Sequence, residues 1–357
     1  MAYQNVGTPR FYIDLPIYVN SMGGQFETES DKSLFTLNPT LPKTAKFSTS
    51  VGGLDGLILE FDEEISNLCY SDNSYIALLN FNLSNFSFRI KSTSNNVLNS
   101  YPAGMYGEGG EPVVVYNKGF SVFTHKGFSS SAVEFYKNIL IINSLKIDVP
   151  DTNNPIGGTQ IFELDIGCIS FGSYYDMPHS PELNMSMKII NDGFKSIQTG
   201  GGSHLKETIY NGAPMWQRAD GTEVPPWTVG EPTAVGRRVG RRSWSLNFNH
   251  LNKQDLLSSN YMSNNYLENT SGYYSSDLNI HNNEGVREFY HNVNNDNSFT
   301  AQVLNKIGNG QRFIFQPDNT NNNPDQFAIC QLNKNGLTIN QVSDGVYNIS
   351  LNITEVW

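Results

Sequence analysis

Charge is scarce in this chain of 357 residues: only 16% of its side chains are Asp, Glu, Lys or Arg. Disordered chains are charge-rich and poor in aromatics, and with 12% aromatic residues this one is expected to fold almost throughout. Cysteine is nearly missing. Cys69, Cys168 and Cys330 are too few, too far apart and too unlike any Cys/His ligand spacing for a disulfide framework or a zinc site, so buried thiols are expected. Long apolar runs are missing as well. "NILIINSL" falls far short of the roughly 20 residues a membrane helix needs, which argues against insertion into a bilayer. The opening "MAYQNVGTPRFYIDLP" has no basic segment followed by an apolar one, so no secretory leader is expected. Positive charge is also short, with 23 Lys and Arg against 34 Asp and Glu for a formal net charge of −11. That balance disfavours nucleic acid as a general partner.

What the chain does have is strand and turn material. Tyr, Phe, Ile, Val, Thr, Ser and Asn dominate over the helix formers Ala, Lys and Glu, so the expected fold class is mainly β. Residues 1–185 read as an antiparallel β-sandwich. The strands are expected in "GLDGLILEFDEEI", "SYIALLNFNLSNFSFRIKS", "EPVVVYNKGFSVFTHKGF", "FYKNILIINSLKIDV" and "TQIFELDIGCISFGSYY", with Gly/Asn/Asp/Pro clusters between them. Phe86, Phe88 and Ile90 recur at period two, as on a strand with one buried face. Residues 186–357 read as a β-rich α+β domain whose strands include "RSWSLNFNHL", "QRFIFQ", "QFAICQL" and "GVYNISLNITEVW".

A helical insert is expected at about 252–308. Asn252 is placed to cap a short helix, and Val286, Phe289, Tyr290 and Val293 form one apolar stripe. Phe299, Val303 and Ile307 form another, with Ser298 as N-cap and Gly308 as the stop. "MKIINDGFKSIQT" reads as a hairpin or bend around Asn191-Asp192-Gly193, and the glycines at 200–202 read as a flexible linker. Asn348-Ile-Ser and Asn352-Ile-Thr are expected to be the solvent-facing row of a strand rather than glycosylation sites.

Searches for catalytic chemistry return little. His204 and Glu207 lack the second histidine of a zinc helix, and residues 318–326 lack the glycine and glutamate of a calcium loop. Asp62, Glu63 and Glu64 read as an acidic turn, and no G-x-S-x-G occurs. The expectation is a non-enzymatic protein without cofactor or metal. Two features stand above that background. Arg237, Arg238, Arg241 and Arg242 occupy four of six positions before a strand, and the planar guanidinium makes forked bonds to carboxylates. They suit either contact with an acidic partner surface or pairing with the chain's own acids. Trp216 and Trp227 sit in the Gly/Pro-rich "NGAPMWQRADGTEVPPW", where indoles can stack on sugars, anchor a protein interface or close a small local core.

The blocks "GGGSHLKETIYNGAPMWQ", "VGRRVGRRSWSLNFNHLNKQDLL", "SFTAQVLNKIGNGQRFIFQPDN" and "DQFAICQLNKNGLTINQVSDGVYNISLNITEVW" follow one another in the second half. In that order they resemble virion structural proteins of tailed bacteriophages, of the tail and baseplate group. The resemblance covers about 160 residues and does not extend to the N-terminal half. It implies a virion component assembled in a host cytoplasm, with other virion proteins and copies of itself as partners. The four arginines and two tryptophans would be its assembly contacts. The alternative is a glycan-binding adhesin, or a decoration or fibre protein of the head surface, recognising a host surface glycan.

Overall fold

The computed structural model describes residues 7–23, 26–28, 30–51, 54–61, 74–83, 88–92, 119–124, 139–144, 161–191, 193–208, 215–217, 221, 223–224, 226–227, 240–257, 297–308, 310–321, 326–333 and 337–356. The fold is mainly β, as expected, with every strand pair antiparallel and a few short helices. The first half carries β1 (Arg10–Asp14), β2 (Phe26–Glu27), β3 (Lys43–Val51), β4 (Leu54–Phe61), β5 (Ser74–Leu83), β6 (Phe88–Ser92), β7 (Gly119–Thr124), β8 (Ile139–Ser144) and β9 (Ile161–Asp176). The second half carries β10 (Ser186–Ile190), β11 (Phe194–Gln198), β12 (His204–Thr208), β13 (Trp216–Gln217), β14 (Glu223–Val224) and β15 (Arg241–Asn252). It ends with β16 (Phe313–Gln316), β17 (Ala328–Leu332), β18 (Ile339–Ser343) and β19 (Val346–Glu355). Every stretch singled out above for a strand contains one. Phe86 and the stripe from Val286 to Val293 lie outside the described residues, as do Cys69, Asp62, Glu63 and Glu64.

One sheet of 15 strands runs through both halves in the order β10-β15-β19-β17-β16-β1-β9-β3-β4-β8-β6. The boundary expected near residue 185 falls between β9 and β10, and strands from both sides of it share this sheet. The joint is β1, which pairs β9 on one edge (Phe11↔Tyr175) and β16 on the other (Phe11↔Phe315). Long β9 pairs β3 through Ile161–Ile166 and β1 through Gly172–Asp176, with β5 along its opposite edge. The seam is tight at Gly172, where φ is +157° and a Cβ would stand 2.1 Å from the Ile13 carbonyl oxygen. Only glycine lets β1 lie so close.

The middle of the sheet is covered on both faces. Phe11 and Ile13 of β1, Phe313 and Phe315 of β16, and Ala328 and Cys330 of β17 enter one core, while Tyr12, Ile314 and Ile329 enter another. Strands buried on both sides read as continuous apolar runs, which "FIF" and "FAIC" are. β15 and β19 are different. Trp244, Leu246 and Phe248 alternate with half-exposed Ser245 and Asn247, and Tyr347, Ile349, Leu351 and Ile353 alternate with Asn348, Ser350 and Asn352. The outward row therefore contains Asn348 and Asn352.

The first core is closed by the expected helix. It runs through a π-helical turn at Thr300–Leu304 into a last turn at Asn305–Ile307, with Phe299, Val303 and Ile307 all buried. Ser298 Oγ accepts the Ala301 amide at 3.3 Å, and Gly308 ends the helix at φ +49°. A shorter helix, α2 (Lys253–Leu256), starts after Asn252 as expected, although Asn252 donates from Nδ2 to Asp255 Oδ2 instead of bonding a backbone amide. Near the start of the chain, α1 (Leu15–Ser21) is capped by Asp14, whose Oδ1 accepts the Ile17 amide at 2.8 Å.

Two readings of the loops change, and a third is decided between its alternatives. The glycines at 200–202 form the turn of the β11–β12 hairpin, closed by the Gly202 amide on Thr199 O at 2.9 Å and the Thr199 amide on Ser203 O at 2.8 Å. Gly202 takes φ +83°, a turn requirement that composition alone reads as looseness. "MKIINDGFKSIQT" is a bend: β10 pairs β15, while β11 pairs β12. The Trp216 region likewise carries the small β13–β14 hairpin, Trp216 standing opposite Val224.

Candidate functional site

Among the four arginines, Arg237 and Arg238 lie outside the described residues. Arg241 and Arg242 open β15 and stand opposite Ile190 and Ile189 of edge strand β10. Arg242 is engaged within the chain. Its Nε and Nη2 donate to Glu355 Oε2 and Oε1 at 3.1 and 2.9 Å, and Nη2 also donates to the Phe327 carbonyl at 2.8 Å. The Arg242 amide bonds the same carboxylate at 3.0 Å, and the guanidinium stands 5.1 Å from the Trp244 ring centroid. Glu355 is 3% exposed, so a charge that has left water is met by a forked partner and a backbone amide. Of the two roles considered for the cluster, Arg242 performs self-pairing. Arg241 stays half-exposed at the mouth of the strand.

Trp216 and Trp227 are each 4% exposed, and the structure places both indoles inside the chain's own core. Their ring centroids are 5.7 Å apart, and Trp227 continues to Phe327 at 5.6 Å, with Tyr12 6.2 Å beyond. The segment is tied down by the Gln217 amide on Thr40 O at 2.8 Å and by Asn80 Nδ2 on Gln217 O at 2.8 Å. Trp227 adopts φ +63°, an unusual conformation for a bulky residue, held here by the packing around it. The rings that could have stacked on a sugar or anchored a partner cover the second face of the sheet. The local core weighed for this pair is in fact part of the core on that second face.

A buried polar cluster carries no pattern along the chain and escapes a reading of the sequence. Ser170 Oγ donates to Asp14 Oδ2 at 2.6 Å, and Tyr75 Oη lies 2.8 Å from Ser170 Oγ. All three side chains are sealed from water. Burial pushes the Asp14 carboxyl up to about 7, against the opposing pull of its bonds to Ser170 and the Ile17 amide. Burial likewise raises the Cys168 thiol to about 12, with the nearby Asp14 charge acting in the same direction. Cys168 and Cys330 are both buried, as expected of the cysteines. The cluster ties β1, β5 and β9 to the first turn of α1, and the group next to it does similar work: Arg10 forks onto Asp176 at 2.6 and 2.8 Å with its guanidinium 4.2 Å from the Tyr174 ring centroid.

His204 and Glu207 lie on exposed β12, opposite Gln198 and Lys195. Among the described residues no group of three or more His, Cys, Asp or Glu could hold a metal ion. Arg242, Trp216, Trp227 and the Asp14 cluster thus turn inward, while the surface of residues 183–205 offers apolar side chains to water. Leu183 is 72% exposed, Met187 and Ile189 on β10 are 55% and 53% exposed, and Ile197 and Leu205 face each other across the β11–β12 hairpin. No known protein family, no curated protein and no solved structure matches the chain.

Proposed function

We propose that this chain is a non-enzymatic structural component of a tailed-bacteriophage virion, of the tail or baseplate, and that it acts through protein–protein assembly contacts. The virion assignment rests on the ordered sequence blocks of the second half. The mode of action rests on one observation: the exposed apolar side chains between Leu183 and Leu205, carried on an edge strand and on a two-stranded ribbon. A ribbon of two strands is marginal in water by itself, and clustered apolar surface is the mark of an interaction site. The alternative of glycan stacking draws no support from Trp216 and Trp227, which are buried against each other and, through Trp227, against Phe327.

Arg241, with Arg237 and Arg238 just before it, would add charge-assisted contacts at the same end of β15. The experiment is incorporation into particles. Replacing Arg237, Arg238 and Arg241 by serine while keeping Arg242 should leave a folded chain whose abundance in purified particles, read by mass spectrometry, falls roughly tenfold or more, as expected for loss of an interface anchor. Unchanged abundance removes the role of the three arginines. Absence of the wild-type chain from particles removes the virion assignment itself.

A further inference from the structure

Exposed apolar side chains are concentrated on this chain. Of the eight large hydrophobics exposed among the described residues, five lie between Leu183 and Leu205. Two of these five belong to a strand whose pairing tells which way they face. Met187 stands opposite Trp244 and Ile189 opposite Arg242, and residues directly opposite one another share a face of the sheet. Trp244 is buried in the first core. Met187 and Ile189 therefore point to the core side of the sheet at a place where the cover stops. β10 also ends the sheet, and its second edge pairs no described strand.

The same part of the sheet has another open edge. β18 pairs only β19 among the described residues, and Asn340 through Ser343 are exposed. Both edge strands are five residues long. β10 is antiparallel to β15, β15 to β19, and β19 to β18, so β10 and β18 run in opposite directions. A second copy set alongside without being turned over brings its β10 antiparallel to β18, the orientation in which an antiparallel sheet continues. The faces agree as well. Ile339 pairs Ile349 and Gln341 pairs Tyr347, both of them core residues, so Ile339 and Gln341 look to the core side.

We infer that copies of this chain join head to tail, β10 of one protomer adding to β18 of the next. Ile189 meets Ile339 of the partner subunit, Met187 meets Gln341 of the partner subunit, and the core face runs on across the joint. Lys188, on the outer face, meets Asn340 of the partner subunit. Charge selects this contact over β10 pairing with itself. The self-pairing that engages all five residues sets Lys188 against its own copy, and like charges directly opposite are destabilising. β18 carries no charged residue, and its turn carries Asp344. A strand pair this short is small beside the roughly 1,200–2,000 Å² of a stable interface, and the exposed Ile197–Leu205 pair of the β11–β12 ribbon supplies further apolar surface. Such a contact is heterologous and builds a ring or a filament. The inference rests on the assembly reading above and names one partner for it.

The test uses two full-length variants, Lys188→Cys and Asn340→Cys, both at exposed positions, with the wild type oxidised alongside to account for native thiols. Circular dichroism confirms that each variant folds. On mild oxidation the mixture of the two should give a cross-linked dimer and each variant alone should not, while wild type sediments as concentration-dependent oligomers. Cross-linking of Lys188→Cys with itself assigns β10 to a two-fold contact and overturns the inference. So do a wild type that stays monomeric up to high concentration, and a Lys188→Cys thiol shielded in particles without any cross-link to Asn340→Cys, which assigns the edge to another protein. Self-association by a chain absent from particles would overturn only the virion assignment; incorporation without self-association would overturn only this contact.

Discussion

At the scale of single residues, two buried charges make distinct claims. The folded Asp14 carboxyl titrates near 7, against an ordinary value of 3.8. The folded state thus binds this proton more tightly than the unfolded chain, and the contribution of Asp14 weakens the fold as pH rises from about 4 to about 7 and levels off above that. The slope is on the order of 1 kcal/mol per pH unit within that window. Asp14→Asn keeps the acceptor for the Ile17 amide and offers Ser170 a donor. It should flatten the stability of the chain between pH 4 and 7 in denaturant titrations, while an unchanged slope would show that another group titrates there. Glu355 is the second case. Arg242→Ala takes the forked cation away from a carboxylate that stays buried, and should lower unfolding free energy by about 3–5 kcal/mol; the double variant with Glu355→Gln should recover part of that loss. Arg242 shows how far single residues were legible. The density of arginine was plain in "GRRVGRR", but the partner is 113 positions away, and nothing local marks Glu355 as the acid that answers it.

Among elements, alternation and turn chemistry worked where one face of a strand is wet. β15 and β19 declare themselves by period two, and the helix after Ser298 by its stripe and stop. β1 was not legible as a strand. Five residues, four of them buried, followed directly by Leu-Pro have no alternation to show, and their importance lies in pairing with residues near 175 and 315. The tryptophan segment stayed open between three roles for a related reason: Gly and Pro around an aromatic describe a loop equally well whether it hangs free or folds back over a sheet. The β1–β9 seam makes its own prediction. Gly172→Ala drives a methyl group into the Ile13 carbonyl in an element that cannot shift without opening the centre of the sheet, and should cost about 3 kcal/mol or more. The melting temperature would report it; a melt within a degree or two of wild type would mean that β1 has room to move.

For the whole molecule, the mainly β class was evident from composition, and each segment expected to hold a strand does so, while β1, β3 and β18 arise outside those segments. The division at residue 185 was read from a proline-rich connection, and that connection joins two parts of one continuous sheet. Local composition reports where the chain turns, whereas strand order depends on pairings across hundreds of residues. The position of β1 has a consequence for how the chain is made. Once made, β1 must wait for residues 313–316 before its second edge is occupied. Until then β1 presents an unfinished seam with one edge unpaired, and long-range pairing of this kind closes slowly. Folding is thereby tied to completion: a nascent chain cut short before β16 has no way to zip its two halves together, and quality control meets it as an open edge.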